Sequence, residues 1–119
     1  MDDSIKSHMD RWEHLSTDEL YALLPPETFG LDEDDAEGRV DSGRTIFIRI
    51  LPRIREHICG TELYHKLLRE RPMRTHVEIA VLLLDLLPGA SIMGVPCGPV
   101  LLIIIREMFE SFCVPGRSF

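Results

Sequence analysis

Thr75-His-Val-Glu-Ile-Ala-Val-Leu-Leu-Leu-Asp-Leu-Leu-Pro-Gly89 is the stretch that decides the fold class. Thr75 and Glu78 stand three apart, the spacing of a capping box, in which each side chain satisfies the other residue's backbone N–H. Only Glu78 and Asp85 carry charge between Val77 and Leu87. Val77, Ala80, Val81, Leu83, Leu84 and Leu87 leave such a helix little polar surface, and Pro88-Gly89 ends it. A helix that is apolar on nearly every side has to be enclosed by other elements. The sequence therefore predicts an all-α fold: a compact bundle of five or six helices with a central buried helix near 75–87.

The segments on either side agree with that expectation. Residues 88–98 read as a Pro/Gly-rich apolar loop, after which Pro99 suits the first turn of a final helix. Val100 to Ile105 is apolar all round, then Met108, Phe109 and Phe112 continue one face, and 114–119 read as an irregular tail. On the N-terminal side, Gly60 and Thr61 mark a stop and a new cap, for a helix to Glu70 that buries Leu63, Tyr64, Leu67 and Leu68. Before it, a helix over Ser42–Ile58 carries one apolar stripe of Ile46, Phe47, Ile50, Leu51, Ile54 and Ile58. Pro52 in its middle predicts a kink or a split. Ser16 and Glu19 form another capping box, for a short helix stopped by Pro25-Pro26, and Ile5, Met9 and Trp12 share one face of a first helix over 4–14. Residues 27–41 read as an acidic loop. The whole of 1–119 is expected to be a single helical domain.

Charge is distributed unevenly. The net charge is -7, yet residues 1–41 hold thirteen acids against three bases, and the excess of bases lies beyond them. Arg44, Arg49, Arg53, Arg55, Lys66, Arg69, Arg71 and Arg74 make the middle basic. With 45% hydrophobic residues the chain is too apolar to be disordered. Three cysteines, Cys59, Cys97 and Cys113, are an odd number without paired spacing and suggest free thiols in a reducing cytoplasm. The acidic, polar N-terminus does not read as a signal peptide.

Motifs that would carry chemistry are weak. Asp32 and Asp34 have the spacing of a calcium loop, but no Gly stands at its sixth position and no Glu at its twelfth. His57, Cys59, Cys97 and Cys113 could supply four zinc ligands, yet His57 and Cys59 diverge by about 200° if helical. No metal and no other cofactor is expected. No glycine-bounded serine elbow and no phosphate-cradling glycine loop is present. Nucleic acid is not an expected partner, because the chain is acidic overall and its arginines are not interleaved with aromatics.

These observations lead to an expectation of a non-enzymatic protein–protein interaction module or adaptor, with opposite charges that permit self-association. Arg49, Arg53 and Arg55 form the expected basic contact set, and Asp32, Glu33, Asp34 and Asp35 its counterpart. A last helix with more apolar surface than one bundle face needs adds a second candidate contact. Three other expectations stay open at this stage. The charged patches could face each other within one chain. Residues 77–105 could insert into a membrane as a hairpin. Cys59 or Cys97 could serve as the nucleophile of a small enzyme.

Overall fold

The computed structural model describes residues 3–26 and 36–113. Six helices follow one another: α1 (Asp3–Glu13), α2 (Thr17–Ala22), α3 (Ala36–Ile58), α4 (Glu62–Glu70), α5 (His76–Leu84) and α6 (Cys97–Glu107). A two-stranded hairpin, β1 (Ser91–Ile92) and β2 (Val95–Pro96), joins α5 to α6. Single 3₁₀ turns at Arg71–Met73 and Phe109–Ser111 follow α4 and α6. The protein is a mostly helical globule, as the apolar run at 75–89 predicts.

Local signals set the helix starts. Ser16 and Glu19 close a reciprocal cap on α2, and Thr75 and Glu78 do the same on α5. Thr61 caps α4 by accepting from the Tyr64 N–H. These bonds satisfy backbone donors that no helical carbonyl can reach.

The core is organised around α5 and α6. Val77, Ile79, Ala80 and Leu83 of α5 are buried. Every residue of α6 from Cys97 to Ile105 is buried too, because α5, α1 and α2 all pack against it. The all-round apolar character of 100–105 therefore belongs to the core and leaves no surplus patch outside it. Arg106 marks where the helix leaves the interior. Its guanidinium donates to the Leu15 carbonyl at 2.9 Å and the Glu13 carbonyl at 3.2 Å, holding the α1–α2 connection.

Four features depart from the sequence expectation. First, α3 begins at Ala36, so 36–41 are helical rather than loop. Arg39 explains how this turn is fixed: it donates to the carbonyls of Ala22 and Pro25 and ties α3 to the end of α2. Gly43 lets the two backbones touch, since a Cβ there would lie 1.9 Å from the Tyr21 carbonyl oxygen. Second, of the kink or split expected at Pro52, the split does not occur: α3 runs unbroken through it. A proline removes the N–H that would have bonded four residues back. Here both Pro52 and Ile48 lie on the solvent face, where water can satisfy the Ile48 carbonyl.

Third, the expected apolar loop at 88–98 contains the hairpin. Ile92 pairs with Val95 across a two-residue turn, Met93-Gly94, in which both residues have positive φ (54° and 78°). That is the sign pattern of a type I′ turn, which favours Asn, Asp or Gly in both places. Fourth, Cys59 and Cys113 form a disulfide, with Cα atoms 5.5 Å apart, and Cys97 alone is a free, buried thiol. The expectation of three unpaired thiols is thereby corrected. The physical reason is that α3 ends at Ile58, so that Cys59 meets the segment returning after α6, a juxtaposition that sequence spacing does not encode.

Candidate protein-interaction surface

The outward face of α3 places the expected basic residues in two different settings. Arg49 and Arg53, one turn apart, are exposed, and no ion pair involving either occurs among the described residues. Ile48 beside them is 54% exposed, and Pro52 completes the strip. Arg55 is turned elsewhere. It is half-buried, donates from Nε to the Phe112 carbonyl at 2.9 Å, and lies over the Phe112 ring at 5.1 Å. Burial pulls its guanidinium below its ordinary pKa. Arg55 thus clamps the segment that carries Cys113. The acidic counterpart, Asp32, Glu33, Asp34 and Asp35, lies outside the described residues, as do the calcium-loop spacing and the 114–119 tail.

Part of the opposite charge is used inside the monomer. Arg44 pairs with Asp18 at 2.9 Å and lies near Asp41 at 3.7 Å. Arg71 pairs with Glu110 and donates to the Ile105 carbonyl, and Arg74 pairs with Glu70 at 2.7 Å. The hydrogen bond from Arg71 is the main reason the Glu110 carboxyl sits below the usual carboxylate range; Arg74 does the same for Glu70. These arginines are accounted for by the fold. Of the bases from Arg44 to Arg74, Arg49, Arg53, Lys66 and Arg69 are exposed and in no ion pair among the described residues, and of these Arg49 and Arg53 share the outward face of α3.

A groove of about 450 Å³ opens beside them. Its apolar wall comes from Leu24, Ile46, Ile50 and Val95; Ser42, Thr45 and Arg49 bring polar groups, and Met93 and Gly94 of the hairpin turn form one lip. Met93 is 65% exposed. Sequence inspection missed both Ile48 and Met93. Ile48 falls off the apolar stripe of α3, which is the signal that could have placed it outside. The Ile-Met-Gly-Val run holds a faint hairpin signal, weakened because Met is a poor residue for that turn.

Other chemistry finds little support from the same geometry. Cys59 is held in the disulfide, and burial raises the Cys97 thiol to about 11, so neither offers a thiolate at neutral pH. Among the described residues, no three His, Cys, Asp or Glu side chains gather as a metal site. No helix among them is long and apolar enough to cross a membrane, and inserting 77–105 would dismantle the packed pair α5 and α6. No family model, curated protein or solved structure matches the chain.

Proposed function

We propose that this protein is a non-enzymatic interaction module that contacts acidic protein surfaces through the outward face of α3. The observation that carries this is the strip of Arg49 and Arg53 beside Ile48 and Pro52, exposed and in no ion pair among the described residues. Guanidinium groups of this kind form planar, paired hydrogen bonds with carboxylates, and an exposed isoleucine among them adds apolar contact area.

The acids of the chain itself are concentrated in residues 1–41, so self-association is the first form of contact to test. Opposite patches on one chain permit head-to-tail contacts that close into rings or extend as filaments. Reversing Arg49 and Arg53 to Glu together should abolish association seen by sedimentation velocity while the far-ultraviolet circular dichroism stays helical. Unchanged association in that variant would sink the electrostatic form of the proposal.

The cytoplasmic location expected from the sequence rested in part on three unpaired thiols, and the disulfide removes that part of its basis. It stands as a proposal only with Cys59 and Cys113 cycling with cellular thiols. Acid-quenched thiol trapping from cells tests it: a pair found fully oxidised would argue for an oxidising compartment.

A further inference from the structure

We propose that the groove between α3 and the β1–β2 hairpin is a docking slot for an acidic peptide segment of a partner protein, one that carries a large apolar side chain beside its carboxylates. This inference rests on the reading of α3 as a protein-contact face and names the chemistry that face accepts. Ile46, Ile50 and Val95 give the groove an aliphatic wall, and its volume of about 450 Å³ lies within the usual range of ligand clefts. Arg49 lines the same groove, and its guanidinium has no ion-pair partner among the described residues. An apolar wall with a guanidinium at its side complements a side chain of Leu, Ile or Phe type next to a carboxylate.

The second cation decides between a peptide and a simpler acid. Arg53 stands four residues further along α3, roughly 6 Å by helical rise, and it does not line the groove. A ligand satisfying both guanidinium groups needs a second carboxylate beyond the slot. A peptide with spaced acids supplies it; a monocarboxylic lipid does not.

Met93 points the same way. It is 65% exposed with φ of 54°, in a turn position that favours Asn, Asp or Gly. It gains little burial within the monomer for adopting this conformation. A flexible thioether at the mouth of a groove is, however, well suited to fit varied apolar side chains. A local rule broken at an exposed binding lip is the pattern of a residue kept for contact rather than for folding.

The test is selection of a random dodecapeptide library displayed on phage against the whole chain at low salt, followed by fluorescence anisotropy with the selected peptide. The expected consensus has one large apolar residue flanked by at least two acids. Its affinity should fall by about tenfold or more with Arg49→Glu and severalfold with Met93→Asn, and should weaken with salt. Selection against Arg49→Glu should replace the flanking acid by a base. Met93→Asn relieves the turn, so it keeps the test open even where charge reversal harms folding. No enriched consensus, a consensus without acids, affinity indifferent to Met93→Asn, or decanoate outcompeting every selected peptide would each overturn the proposal. Peptide binding is scored on one protein chain, so failure of self-association in solution would leave this result standing, and the reverse also holds.

Discussion

Arg106 shows how a single polar residue can terminate a core. The helix it belongs to is buried for nine consecutive positions, Cys97 to Ile105, and its guanidinium then reaches across to the carbonyls of Glu13 and Leu15. Removing it strands those acceptors in half-buried positions. Arg106→Ala should therefore cost about 2 kcal/mol, read as a lower urea midpoint with an unchanged slope. Met93 makes the opposite case. A non-glycine residue in the left-handed region carries a cost of roughly 1–2 kcal/mol. Asn tolerates this turn better, so Met93→Asn should raise the melting temperature by a few degrees. Cys97 gives alkaline pH a role. Its thiol is raised to about 11 in the fold by burial, against about 8.5 in an unfolded chain. The folded form holds the proton longer, so stability is fully present below about pH 8.5 and is lost as pH rises through that window to the folded value. Cys97→Ala should flatten this decline in a pH series of denaturant midpoints.

At the level of elements, the helices were legible because their determinants are local. The boxes at Ser16–Glu19 and Thr75–Glu78 and the cap at Thr61 work within four residues, and each closes as its spacing predicts. The stripe on α3 faces the core at Phe47, Ile50, Leu51, Ile54 and Ile58 for the same reason. What sequence did not disclose depends on tertiary return. The extra turns at the start of α3 rest on Arg39 meeting the end of α2, and the hairpin forms in a run whose first turn residue argues against it. Of the proposed contact residues, Arg49 and Arg53 lie on the outward face of α3 that helical period alone predicts. Arg55 has the same residue type and nearly the same period, but the Phe112 backbone claims it.

The disulfide belongs to this class as well, since Cys59 and Cys113 are 54 residues apart. Closing a loop of that length removes unfolded-state entropy worth about 4 kcal/mol at the chain-entropy limit. Reduction by dithiothreitol should therefore lower the thermal midpoint markedly, and Cys59→Ser should make the protein insensitive to the reductant. The fold around Phe109 should persist, because Tyr64 donates to the Phe109 carbonyl at 2.6 Å and Arg71 holds the end of α6. Complete loss of near-ultraviolet aromatic dichroism on reduction would show that the disulfide alone holds this end.

Across the whole molecule, charge is divided between holding the fold together and facing outward. Arg44, Arg71 and Arg74 are spent on internal pairs, whereas Arg49 and Arg53 remain on the surface. Acid pH tests the first group. Glu110 and Glu70 are held below the usual carboxylate range by Arg71 and Arg74. Their contribution is present above the unfolded value of about 4.3 and is lost as pH falls through the lower folded values. Glu110 is exposed and Glu70 half-buried, and each pair reaches solvent, so the loss should be small and shallow. Salt tests the second group, since surface contacts are screened over about 10 Å at 0.1 M ionic strength. Light scattering after size exclusion, run on the wild type at low and high salt, tests the central claim most directly. Self-association through α3 should give a mass above the 13.6 kDa of one chain at low salt, returning to one chain at high salt. A mass of one chain under both conditions, or an oligomer indifferent to salt, would contradict self-association through Arg49 and Arg53.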